Sequence, residues 1–117
     1  MTGKITVYQK PTCSKCREAL RILKDKRVPI EAINYYETPM TAKRLRDLLK
    51  KLGLSPSELL RKDEPVARRL GISKRQFSDE ELIKLMVENP DLIQRPIVVR
   101  GNKAVLGRPP ANVESLL

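Results

Sequence analysis

Within the first 36 residues the hydrophobic period changes twice, and this constrains the fold more than any other feature of the chain. Residues 4–9, "KITVYQ", alternate polar and apolar around the β-branched Ile5, Thr6 and Val7, the pattern of a short buried strand. "KPTC" breaks that period as a turn. From residue 14 to 26 Ala19, Leu20, Ile22 and Leu23 form an apolar stripe at helical spacing, with Arg17, Arg21, Lys24 and Lys26 mostly outside it. "VPIEAINY" then brings a second strand around residues 30–35. Strand, helix, strand is the opening of an α/β unit.

Residues 40–90 read differently, as a block of three or four short helices. Thr41 can cap a helix carrying Leu45, Leu48, Leu49 and Leu52, and Gly53 is placed to end it. Ser55, Pro56 and Glu58 form a capping box with proline at the first helical position. Ser78 starts another helix through Leu82, Ile83, Leu85 and Met86, closed by Asn89-Pro90. Period two returns at Ile97–Val99, "GN" turns the chain, and residues 103–106 supply an antiparallel partner. A short helix after Pro110 finishes the sequence. Nothing repeats and no low-complexity linker divides the chain. The expectation is one α/β domain over residues 1–117, a β-α-β half and a β-β-α half with a helical insertion at 40–90.

Composition narrows the chemistry. A chain of 117 residues can bury roughly two-thirds of its unfolded surface, so it needs no disulfide to fold. No apolar run approaches the roughly 20 residues of a membrane helix, and "MTGKITVYQKP" lacks the apolar core of a secretion signal. Two cysteines without export signals point to a reducing cytoplasm. Histidine is absent, which removes Cys-His and Ser-His-Asp catalysis and the commonest metal ligand. A net charge of +10 favours anionic partners, whereas 3% aromatics leave few platforms for stacking nucleic-acid bases. Neither a membrane nor direct nucleic-acid binding is expected.

Both cysteines lie in "KPTCSKCRE". Cys13 falls at the start of the first helix, where unpaired N–H groups and the positive dipole end favour a thiolate. Lys10, Lys15 and Arg17 add positive charge nearby. Such surroundings lower a cysteine pKa into the range of roughly 3.5 to 7.5. Cys16 lies one turn later on the same face, close enough to form a disulfide with Cys13. The bland readings are weaker. A zinc site wants four ligands, and two cysteines without histidine do not make one, so no metal is expected. A structural disulfide suits a cytoplasmic chain poorly. CxxC at a strand-to-helix turn is a redox signal.

"VYQKPTCSKCREAL", "LLRKDEPVARRLGI" and "LIQRPIVVRGNKAVLGRPP" together resemble the arsenate reductase (glutaredoxin-type) family, which includes the Spx-like regulators. The resemblance runs in order over essentially the whole chain. It implies a thioredoxin-like fold with a helical insertion and no bound cofactor. It also implies that Cys13 attacks arsenate while Arg61, Arg95 and Arg108 hold the oxyanion. Arginine suits this task because its charge is permanent and its forked donors grip two oxygens at once. Taken singly, each is more often a solvated surface charge. Arg61 sits in a basic, loop-like stretch with Lys62, Arg68 and Arg69, whereas Arg95 directly precedes Pro96 at the start of a strand. By resemblance that proline is cis and faces the cysteine.

Two departures from the family pattern matter. Gln9 stands where many members carry a histidine, so activation must come from the helix end and basic neighbours. Cys16 stands where glutaredoxin-dependent enzymes often have serine. With one cysteine, glutathione and glutaredoxin release the product. With two, Cys16 can resolve Cys13 into an internal disulfide for thioredoxin to reduce. The alternative reading is a redox-sensing regulator of the Spx kind, its CxxC a switch and its basic surface a contact for RNA polymerase.

Overall fold

The computed structural model describes residues 3–117. The fold is α/β and thioredoxin-like, with a helical insertion between its halves. The chain forms two compact units, residues 1–38 with 95–117, and residues 39–94.

The first unit is built on a four-stranded sheet of β1 (Ile5–Gln9), β2 (Ile30–Asn34), β3 (Ile97–Arg100) and β4 (Lys103–Leu106). Their order is β2-β1-β3-β4. β1 runs parallel to β2, with Ile5 opposite Ile30, and antiparallel to β3, with Tyr8 opposite Ile97. The parallel pair needs a crossover, which α1 (Ser14–Asp25) supplies. Alternation along β1 places Ile5 and Val7 in one cluster with Val98 of β3 and Ala19 and Leu23 of α1. Full burial of a side chain such as Leu23 stabilises the fold by about 1.5–3 kcal/mol.

The segment after Pro110 closes this core as a 3-10 helix, Pro110–Leu116. Three residues per turn align Pro110, Val113 and Leu116 on one line, and all three are buried. Val113 and Leu116 join the cluster of Ile5 and Leu23.

The second unit holds α2 (Ala42–Leu52), α3 (Pro56–Leu59), α4 (Pro65–Arg69) and α5 (Asp79–Glu88). Its starts and stops follow the sequence signals. The Thr41 hydroxyl accepts from the Arg44 N–H at 3.0 Å, and Gly53, at φ 70°, ends α2 in the left-handed region. Ser55–Glu58 and Ser78–Glu81 each close a reciprocal capping box. Leu45, Leu48 and Leu49 of α2 and Leu82, Ile83 and Met86 of α5 are buried. One helix lies where the sequence reads as loop. α4 has proline at its first position but no side-chain cap and only five residues, too short for a periodic stripe.

Candidate functional site

Strand directions gather the chemistry of the first unit at one end of the sheet. β1 and β2 both finish there, with Gln9 opposite Asn34. β3 begins there, and β4 finishes there with Leu106 opposite Ile97. Residues just beyond these ends are therefore neighbours: Lys10 to Cys13 after β1, Tyr35 and Tyr36 after β2, Arg95 and Pro96 before β3, and Gly107 and Arg108 after β4.

Cys13 is the N-cap of α1. Its backbone is extended, and its sulfur accepts from the Cys16 N–H at 3.4 Å. Burial opposes the anion here. Hydrogen bonds from the Cys16 thiol and N–H, the positive charge of Arg95 and the Lys15 N–H outweigh that opposition and hold the Cys13 thiol below its ordinary value. Cys16 shows the reverse. It is 0% exposed, on the inward stripe with Ala19 and Leu23. Burial, followed by its hydrogen bond to the Cys13 sulfur, pushes its thiol well above its ordinary value. The pair is thus polarised, with an ionisable Cys13 and a protonated Cys16 donating to it. Neither is in a disulfide.

Arg95 is the unusual residue of the site. Its side chain is only 9% exposed, and its Nε and Nη1 are buried without hydrogen-bond partners. Burial alone would weaken its charge, but Tyr35, Tyr36 and the Cys13 sulfur hold it firmly cationic. A buried guanidinium with two idle nitrogens is costly unless an anion completes it. The site can stabilise negative charge on or next to the Cys13 sulfur.

The peptide bond Arg95–Pro96 is cis, as the resemblance implies, and so is Arg108–Pro109. Gly107 lets β4 pass Pro96 closely. Its N–H donates to the Pro96 carbonyl at 2.9 Å, and a Cβ at this position would lie 2.7 Å from Pro96 Cγ.

The arginines expected from the sequence are in different settings. The positive charge of Arg95 acts on both cysteines. Arg108 lies beside Arg95, its Nη1 donating to the Arg95 carbonyl at 3.2 Å. Arg61 belongs to the helical unit, where it pairs with Glu64 at 3.0 Å and its N–H donates to the Leu92 carbonyl at 2.7 Å. Of the expected basic neighbours of Cys13, Lys15 contributes its backbone N–H. The ammonium of Lys10 sits 4.8 Å above the Tyr36 ring. Sequence reasoning passed over Tyr35 and Tyr36, although an adjacent pair among only three tyrosines was a usable signal. Among the described residues no group of side chains suited to a metal ion occurs. No helix there is long and apolar enough to cross a membrane.

The model of the ArsC family matches residues 8–116. The chain belongs to the ArsC family. Membership makes it a thiol-dependent oxidoreductase of thioredoxin-like fold. It is 47% identical over 114 residues to the Escherichia coli K12 protein named uncharacterized protein YfgD, covering 97% of this chain and 96% of that one. It is 32% identical to an arsenate reductase of Neisseria meningitidis serogroup A, covering 97% and 98%. The solved structure of an arsenate reductase from Vibrio cholerae superposes with a TM-score of 0.94 at 36% identity, covering 100% of both chains.

Proposed function

We propose that this ArsC-family chain reduces arsenate to arsenite through the Cys13 thiolate. The observation that carries the reading is the buried Arg95 guanidinium, with unpartnered Nε and Nη1, beside a cysteine held below its ordinary pKa. An oxyanion gives that guanidinium its missing acceptors and presents an electrophile to the sulfur. The names of the Neisseria and Vibrio relatives support the choice of arsenate.

Cys13 attacks arsenic(V) and expels one oxygen as water, which forms a sulfur–arsenic bond. Arg95, Arg108 and Arg61 are assigned to the oxyanion. A glutathione thiol then attacks the Cys13 sulfur. The sulfur–arsenic bond breaks, its electron pair leaves with arsenic as arsenite, and a mixed disulfide remains. Cys16 gives up its proton and attacks Cys13, releasing glutathione and leaving the Cys13–Cys16 disulfide for a dithiol such as thioredoxin. Without that step, glutaredoxin clears the mixed disulfide. The enzyme is assigned to the cytoplasm, where such donors are abundant.

The test is NADPH oxidation with glutathione present, coupled through thioredoxin or through glutaredoxin, with arsenate varied. Arsenate-dependent oxidation that disappears in Cys13→Ser supports the proposal. In Cys16→Ser the thioredoxin-driven rate disappears and the glutaredoxin-driven rate persists. If neither donor supports arsenate-dependent oxidation, while the protein captures the RNA polymerase α-subunit in one redox state only, the regulator reading replaces this one.

A further inference from the structure

Positive charge is unevenly placed in this chain. The sheet unit carries twelve Lys and Arg against five Asp and Glu, and the helical unit twelve against nine. Six of the sheet unit's cations fall within residues 15–27, on α1 or just after it. Helical geometry lines up three of them with the sulfur. Residues four, eight and eleven positions after Cys13 return to its side of the helix, so Arg17, Arg21 and Lys24 form a track about 16 Å long leading away from it. All three are exposed. Among the described residues none of them forms an ion pair, although Glu18 and Asp25 share the helix. Arg17 and Arg21 line a shallow hollow of about 300 Å³ with Ser14 and Glu18. Nor do these charges serve the helix. The first turn of α1 has no acidic residue and two basic ones, Lys15 and Arg17, which oppose its dipole.

The head of the track decides what it suits. Cys16 is 0% exposed, so in a Cys13–Cys16 disulfide only the half-buried Cys13 sulfur is open to attack. A reductant must reach that one spot, and a protein reductant needs a surface to hold it there. Opposite charges speed and orient such encounters. Single-stranded nucleic acid suits the track less, because α1 carries no aromatic ring on which a base could stack.

We propose that Arg17, Arg21 and Lys24 form the docking surface for an acidic dithiol protein that reduces the Cys13–Cys16 disulfide. The proposal rests on the disulfide step of the function proposed above and on nothing that concerns arsenate. One thiolate of the partner attacks the Cys13 sulfur. The bond to Cys16 breaks, and Cys16 leaves with the electron pair and takes up a proton. The partner's second thiolate attacks the partner sulfur now bound to Cys13 and expels the Cys13 thiolate. The partner departs as its own disulfide, two electrons poorer. Of its two thiol protons, one ends on Cys16 and the other passes to solvent.

The test starts from the oxidised full-length chain and compares reduction by an acidic thioredoxin with reduction by dithiothreitol, a small dithiol that needs no docking surface. The thioredoxin rate constant falls about tenfold between about 20 mM and about 500 mM salt, while the dithiothreitol rate hardly changes. Arg21→Gln with Lys24→Gln, two and three turns from the sulfur, lowers the low-salt thioredoxin rate about fivefold and flattens its salt dependence. Dithiothreitol reduces this variant as fast as the parent. Lys43→Gln with Lys50→Gln removes the same charge from exposed positions of α2 and leaves the thioredoxin rate nearly unchanged. In the reduced protein the pH profile of Cys13 labelling by iodoacetamide, read by peptide mass spectrometry, is the same in both variants and the parent. A thioredoxin rate indifferent to salt or to the α1 variant overturns the proposal. So does an equal loss in the α2 variant, which would reflect net charge alone, or a shifted labelling profile, which would place the effect on the thiol. A disulfide that dithiothreitol reduces and acidic thioredoxin does not overturns it too. If oxidation yields no Cys13–Cys16 disulfide, the resolving step fails and this proposal with it. Arsenate takes no part, so the arsenate assay can fail separately.

Discussion

The two units of the chain treat their polar groups in opposite ways. In the helical unit, many charges and hydroxyls are matched within a few residues, and Arg46 of α2 pairs with Glu80 of α5 at 3.0 Å. Its capping boxes reciprocate within four residues, Arg61 pairs with Glu64 at i,i+3, and Lys51 with Asp47 at i,i+4. In the sheet unit a thiol and a guanidinium are buried, and two guanidinium nitrogens remain without partners. Local matching gives modest stability and little chemistry. A buried, incompletely satisfied cation beside a sulfur does little for the fold and suits it to anions.

The largest effect that would sharpen this contrast comes from Arg95. Arg95→Met is expected to lower kcat/KM for the oxyanion on the order of a hundredfold to a thousandfold, as loss of a preorganised donor does, with little loss of thermal stability. A variant that unfolds readily instead would make Arg95 structural and break the comparison.

Next come the glycines, one in each unit. Gly107→Ala pushes a methyl group into Pro96 Cγ and is expected to cost about 1–3 kcal/mol by denaturant unfolding. Gly53→Ala meets no atom within 4 Å, and only its φ of 70° opposes the change, at about 1–2 kcal/mol. The first also alters Cys13 labelling, because Pro96 adjoins Arg95. The second leaves labelling alone.

Ser55→Ala and Ser78→Ala each remove a cap and are expected to cost about 1 kcal/mol of stability, with the Cys13 profile unchanged. A shifted profile would show that the helical unit tunes the thiol, contrary to the division drawn here.

The smallest effect is a slope in pH. Cys16 and Tyr35 have folded-state values above their ordinary 9.0 and 10.0, so the unfolded chain ionises first. Their stabilisation is complete below about pH 9 and is lost as pH rises toward about 12. Tyr35→Phe should make the alkaline decline of the melting temperature shallower. A decline as steep as in the parent chain would contradict the assigned direction.

Much of this was legible in the residues. The switch from period two to helical spacing between Val7 and Ala19 marks strand and helix and places Cys13 at the helix start, where the structure makes it the N-cap. Thr41, Ser55 and Ser78 announced their helices through local hydrogen bonds that need no tertiary partner. Two features were less visible. α4 is too short to show a period. The meeting of the Cys13 turn with Arg95 at one end of the sheet follows from strand order, which no window along the chain displays. Charge counting places Lys10 and Lys15 near Cys13 but does not show what each touches: the Lys10 ammonium lies over the Tyr36 ring, and the Lys15 N–H supports the Cys13 anion.

The most direct measurement is an NMR titration of the reduced protein with 13C at both cysteine Cβ atoms, which follows each thiol separately. The account predicts that the Cys13 signal moves at a pH clearly below 9.0 while the Cys16 signal stays still until well above it. Two cysteines titrating together near 9.0, or Cys16 ionising first, would contradict it.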